Sequence, residues 1–405
     1  MSIAKNISFP EKYLSNEWLM KFLVYFSLID ITILPYFKYF IVPYSLPLIV
    51  VSSLIIILKS KKDYYYYLFI IILVSVIISL LASLIIFPYN QYATNNVKRA
   101  CQLITTFAYF FSVKWISTKF NINYRLPLYL YILIIGVLAH LFILDPISTL
   151  EMMRNFYGPL VTEQEIVLVH YRFAYLFSDP NTSSYFFLIA VAPALIALKD
   201  RPTWFVILSA LGMMIIFIGQ SRGAMLIFPV ILLFTYFYNA GNYSINYIFP
   251  RIAPFFLIIG SSIAIFLLYF YLNADSIVLK KAYIRLLSSD GSYANGGHRF
   301  SIWLQGIDYY LPLPFGRGYS LYMNNELYFP HSDVIGILYR YGFIALFAII
   351  FFLFNRFSAS FTLFLPGFMA FFINSLVDEQ KVFSLFLMLL AFYLNEQKNK
   401  MTVSA

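Results

Sequence analysis

Four short stretches of this 405-residue chain carry side chains able to hold an anion or move a proton, and three of them adjoin a long apolar run. The first is GQSRGAML, Gly219 to Leu226, where Arg222 stands between two apolar runs with almost no loop. An Arg near a bilayer centre costs at least about 2.5–3.5 kcal/mol on insertion scales, so its position needs a reason. It either snorkels from a helix end or binds an anion through its fork of donors. Gly219, Ser221 and Gly223 also satisfy G-x-S-x-G. That pattern marks a nucleophile only on a strand-to-helix turn, and helices on both sides argue against it here.

The second stretch is HYRFAYLFSDPNTSSY, His170 to Tyr185. Asp179, Pro180 and Asn181 form a turn and helix start, with Asp or Asn capping N–H groups that lipid cannot satisfy. Capping accounts for the turn but not for Arg172, seven residues earlier, which suits an anionic ligand near a helix N-terminus. The third stretch, Gly296 to Ser320, opens with two glycines, then His298 and Arg299. Phe300, Trp303 and Leu304 follow at helical spacing, predicting a short amphipathic helix on the membrane surface, either a lid or a ligand contact. In the fourth stretch, Pro330 to Phe347, His331 stands at the mouth of an apolar run, and Ser332 or Asp333 could cap the helix. With an ordinary pKa of about 6.5, His331 can take a proton at neutral pH, while a structural histidine is the alternative. Arg340 lies about two turns deeper and must face the protein interior or unfavourable lipid.

The elements that position these residues are membrane helices. The chain is 61% hydrophobic and 11% charged, with mean hydropathy +0.78, so lipid is its expected solvent. Apolar runs near 19–36, 39–59, 64–87, 98–117, 126–144, 184–199, 203–220, 223–239, 251–272, 333–354, 358–376 and 381–394 predict an all-α polytopic bundle of about twelve transmembrane helices. Residues 1–405 read as one membrane domain. Its two long connections, 145–183 and 273–332, fall on one side, carry aromatics throughout and read as folded caps, the second of them partly helical.

Placing the N-terminus in the cytoplasm puts fifteen Lys and Arg on inner segments and twelve on outer ones, which favours that orientation and puts both termini inside. The four clusters then share the outer face. The net charge of +10 is scattered between apolar runs rather than gathered in a stripe, so nucleic acid is not the expected partner. One cysteine, Cys101, leaves no disulfide, and no His, Asp, Glu or Cys spacing predicts a metal site. Several arginines, one usable base and no evident metal fit a pyrophosphate-bearing lipid: guanidinium groups hold the phosphates while an imidazole deprotonates an attacking hydroxyl.

The ordered set of Arg172 with Asp179-Pro180-Asn181, Ser221-Arg222-Gly223, Arg299 with Trp303, Gly316 and Gly318, and His331-Ser332 before Gly342 resembles the O-antigen ligase and polymerase superfamily, with its Wzy-type polymerases and WaaL-type ligases. The resemblance covers roughly the second half of the chain. Ala345 stands where Gly is common in the family's ligases. The resemblance implies a metal-independent glycosyltransferase of the bacterial inner membrane without a cofactor, acting on its periplasmic face on undecaprenyl-pyrophosphate-linked glycan donor and acceptor, with a chain-length regulator as a further candidate partner. It implies Arg222 and Arg299 on the pyrophosphate, Arg172 assisting, and His331 as base. Asp179, Asn181, Ser221, His298, Trp303 and Arg340 complete the expected site. The long loop and the Asp-Pro-Asn turn are more like a polymerase than a ligase that transfers glycan to lipid A-core. A flippase of lipid-linked oligosaccharide is the rival reading; it needs a polar path through the bundle, whereas the ionisable residues concentrate at one face.

Overall fold

A computed structural model describes residues 16–37, 42–59, 62–86, 91–157, 171–237, 250, 252–287, 303–304, 314–316, 322–323, 326–327, 332–356, 361–374 and 376–403. Among these residues fourteen helices form. In chain order they are α1 (Glu17–Thr32), α2 (Leu46–Lys59), α3 (Tyr64–Ile86), α4 (Gln91–Lys119), α5 (Arg125–Leu144), α6 (Pro146–Tyr157), α7 (Pro180–Leu198), α8 (Pro202–Gly219), α9 (Arg222–Tyr236), α10 (Ile252–Leu272), α11 (Ile277–Leu287), α12 (Asp333–Phe354), α13 (Phe361–Ile373) and α14 (Gln380–Val403). A two-residue antiparallel pair, β1 (Tyr322–Met323) and β2 (Glu326–Leu327), accompanies them.

Each of the twelve apolar runs contains a helix, and α6 and α11 add one helix to each long connection. Six helices, α3, α5, α7, α8, α10 and α12, are long and apolar enough to cross a membrane; α2, α9 and α13 are shorter apolar helices. The chain is therefore a multi-pass helical membrane protein. Two starts differ from the hydropathy reading. The second helix begins at Leu46 rather than 39, because Phe37 N–H bonds the Val42 carbonyl at 2.9 Å and Leu46 N–H bonds Pro43 at 3.2 Å, closing a tight loop first. α4 begins at Gln91 because a polar helical turn carries no apolar signal.

α7 is the axis of the bundle and packs on α5, α8, α9, α13 and α14. Its side chains from Tyr185 to Leu195 are buried all round, as an apolar helix without a polar face should be. α10 lies at the edge and exposes Phe256, Leu257, Leu267 and Leu268. The same core extends to α3, α4, α12 and α14 through aromatic edges: Tyr65 meets Phe352 at 5.2 Å, Phe107 meets Phe352 at 4.9 Å and Phe383 at 5.3 Å, and Phe110 meets Phe352 at 4.7 Å.

α12 is broken at Gly342, where φ is +82°. The described piece of the second long connection, Pro314–Gly316, wedges into that break. A Cβ on Gly342 would collide with the Pro314 carbonyl, and one on Gly316, φ +69°, with the backbone of Arg340 and Tyr341. Ser79 of α3 donates to the Phe315 carbonyl. Gly342 is nine residues into α12, so irregular backbone reaches about 14 Å along that helix, which is tolerated only inside protein.

Candidate functional site

Three helices begin at one end of the bundle, and hydrogen bonds tie their N-termini together. Asp179 caps α7: its carboxylate accepts from the backbone N–H of Asn181 at 3.1 Å and of Thr182 at 3.2 Å, and from the Thr182 hydroxyl at 3.0 Å. The capping expected of the Asp-Pro-Asn turn is thus its observed role. Nearby, α8 ends with Gln220 in the left-handed region, φ +53°, and the chain re-enters helix at once as α9.

Arg172 is the clamp that closes this turn. It is 4% exposed, and its guanidinium donates through Nε and Nη2 to the Gly219 carbonyl at 3.3 and 3.2 Å, and to Gln220 O at 3.5 Å. It also donates to Asn181 Oδ1 at 3.2 Å. Phe173 N–H bonds the Ile218 carbonyl at 3.1 Å, so residues 172–173 run along the last carbonyls of α8, which have no helical partner of their own.

Arg222, the first residue of α9, is exposed and donates to the Arg285 carbonyl at 2.8 Å. Arg285 lies in the last turn of α11, which buries Val278, Leu279 and Ala282 and packs on α8 and α5. Ser221 is the N-cap of α9, 2% exposed, and its side chain makes no capping hydrogen bond. Among the described residues no strand leads into it, since α8 precedes it, so the strand-to-helix context of a nucleophile elbow is missing. Gly223 lies in close approach to two neighbours: a Cβ there would meet the Tyr185 hydroxyl at 2.5 Å and Ile373 at 3.3 Å. The turn therefore abuts both α7 and the end of α13.

From Ile373 the contacts continue into the fourth cluster. Asn374 Nδ2 donates to the Thr182 hydroxyl at 3.4 Å. Asp333, buried at the start of α12, accepts from the backbone N–H of Leu376 and, at 2.8 Å, of Val377. Ser332 is the N-cap residue but makes no side-chain cap bond, so neither candidate cap residue acts as one through its side chain. Arg340 faces the interior, 3% exposed, in an ion pair with Asp378. Lys381, also buried, donates to the carbonyls of Asp30, at 2.8 Å, and Leu34, capping α1. Tyr36 donates to Glu379. Withdrawal from water pushes the Glu379 carboxyl up to about 7, against the pull of the Lys381 ammonium.

Arg172, Asp179, Asn181, Ser221, Arg222 and Arg340 thus belong to one continuous end of the bundle, linked through α7 and the segment between α13 and α14. Trp303 is half-buried and helical with Leu304. His298, Arg299 and His331 lie outside the described residues. Sequence reading missed Asp333, Asn374, Asp378, Glu379 and Lys381 as a unit. The signal was present in SLVDEQK, five polar or charged residues in seven between two apolar runs.

The chemistry on offer is anion binding. The first N–H groups of α9 lack a side-chain cap, the helix dipole adds positive potential, and a guanidinium stands at the same point. Among the described residues no three His, Cys, Asp or Glu side chains are grouped to hold a metal ion. Residues 205–350, from α8 into α12, match the family model described as O-antigen ligase, which supports the resemblance to the O-antigen ligase and polymerase superfamily. No curated protein and no solved structure matches the chain.

Proposed function

From the match of residues 205–350 to the O-antigen ligase family model, we propose that this chain is a membrane glycosyltransferase that polymerises undecaprenyl-pyrophosphate-linked repeat units on the periplasmic face of the inner membrane. The observation that carries the reading is the α8–α9 turn: an exposed guanidinium on an uncapped helix N-terminus, inside the segment that matches the family. Arg222 and Arg299 hold the donor pyrophosphate, whose negative charge grows as the glycosyl bond breaks. His331 takes the proton of the acceptor hydroxyl, which attacks the anomeric carbon, and the lipid pyrophosphate leaves. Arg172 serves this site by fixing the turn rather than by touching the phosphates, since its guanidinium is turned onto backbone carbonyls. Twelve helices cross the bilayer and both termini are cytoplasmic in this reading.

The test is the surface polysaccharide of cells lacking the gene, complemented with wild type, Arg222→Ala, Arg299→Ala or His331→Ala. Each variant should accumulate in the membrane like wild type yet give single repeat units on core, a loss of long chains of at least about a hundredfold. Normal chain length in all three variants would exclude the mechanism. Bare core with intact lipid-linked polymer would make the protein a ligase instead.

A further inference from the structure

A recess separate from the α8–α9 turn lies at the same end of the bundle, between α4, α12 and the start of α14. Arg99, Gln102 and Thr106 of α4, Tyr341 of α12, Asp378 and Gln380 line it. It takes up about 370 Å³ together with its opening to solvent, and its close-fitting part has room for one water-sized group, about 20 Å³.

Most polar groups on this wall have evident partners. Asp378 pairs with Arg340 through its carboxylate and accepts from Arg99 through its carbonyl at 3.5 Å, and the Thr106 hydroxyl donates to Gln102 O at 2.6 Å. Gln380 differs. It is 6% exposed, and neither its Oε1 nor its Nε2 has a hydrogen-bond partner among the described residues. A buried carboxamide with both ends open is unfavourable for folding, because each group gave up water and gained nothing. Such a group takes a partner that is not part of the fold, a water or a ligand.

We propose that Gln380 forms a glycan subsite that receives one hydroxyl of a sugar. A carboxamide offers a donor and an acceptor side by side, which matches a hydroxyl, itself donor and acceptor, better than a bare phosphate or an ammonium. The space admits a group of that size and not a whole ring, so the ring lies in the wider opening beside Arg99 and Tyr341. The segment carrying Gln380 begins at Ile373 against the Arg222 turn, which puts sugar and pyrophosphate contacts on one end of the bundle. The inference rests on the reading of the protein as a lipid-linked glycan transferase and adds the place where its sugar is read.

The experiment uses full-length protein in detergent and, as probe, the repeat-unit oligosaccharide released by mild acid from the producing cells' own polysaccharide. Binding and thermal midpoint are measured for wild type, Gln380→Met and Gln380→Glu. Gln380→Met should weaken binding about tenfold, the loss of one good hydrogen bond, while its thermal midpoint stays level or rises. Gln380→Glu, which keeps the acceptor and the shape, should fall between the two in affinity. Binding by Gln380→Met within about twofold of wild type, or no binding by wild type, overturns the subsite. A lowered midpoint with no loss of affinity in the folded fraction makes Gln380 a packing residue on a buried water and also overturns it. Polysaccharide length in Arg222→Ala cells reports the transferase reading separately: normal chains there sink that reading, whereas short chains with unaltered Gln380→Met binding sink only the subsite.

Discussion

Arg222 and Arg340 sit at the same end of the bundle, and their surroundings are opposite. Arg340 is 3% exposed and answered by Asp378, with Asp333 a short distance along the same helix, whereas Arg222 is exposed and held in hydrogen bonding to a backbone carbonyl. A guanidinium sealed against a carboxylate has its charge neutralised within the fold and serves architecture. One at a helix start, beside solvent, has the kind of setting in which anions are bound. Arg172 is intermediate: buried like Arg340, but turned onto the carbonyls that shape the Arg222 turn.

The sharpest way to break this contrast is to remove the carboxylate. Asp378→Ala leaves Arg340 charged and buried without its partner, and should cost about 3–5 kcal/mol of stability, read as a large fall in the denaturation midpoint of the purified protein. Arg222→Ala, by contrast, should leave that midpoint within about 0.5 kcal/mol of wild type, because an exposed side chain far from the core carries little stability. Equal midpoints for the two variants would erase the distinction between architectural and ligand-facing arginine.

Arg172 sharpens the comparison by a middle effect. Arg172→Ala uncaps α8 and should cost about 1.5–3 kcal/mol, the scale of hydrogen bonds to a charged group, with a raised KM for lipid-linked donor. Arg172→Lys, which can reach one or two of the carbonyls, should recover part of both. In an Arg222→Ala background, Arg172→Ala should add nothing to the loss of donor affinity, since it acts through that residue. An additional loss there would give Arg172 a ligand contact of its own.

The last expected effect is a pH dependence and concerns Glu379, beside Tyr36 and Lys381 with Asp30 behind them. An unfolded Glu releases its proton near 4.5 and the folded one near 7, so between these values the folded state holds more protons and stability falls as pH rises. Glu379→Gln removes this contribution. The wild-type midpoint, measured relative to the variant, should decline from pH 4.5 to 7 and level off above. A constant difference across that window would show that Glu379 does not titrate there.

Much of this architecture could be read without coordinates. Long apolar runs admit only helices in lipid, so twelve of the helices followed from hydropathy, and Asp179-Pro180 named its own helix start. α6 and α11 were not legible individually, because short amphipathic helices mix polar and apolar residues much as loops do. The segment 374–381 was passed over because its charges read as a solvated turn; in the folded chain Asp333, Arg340, Asp30 and Tyr36 each come from distant sequence to meet it.

By itself the sequence determined the solvent, the helical class and which residue types could hold a phosphate, because burial free energy and backbone hydrogen bonding in lipid act locally and additively along the chain. Only the tertiary structure decided the employment of each charge. Whether an arginine is sealed against a carboxylate, turned onto buried carbonyls or held exposed on a carbonyl of another helix depends on partners 38 to more than 60 positions away, and no local rule contains that information.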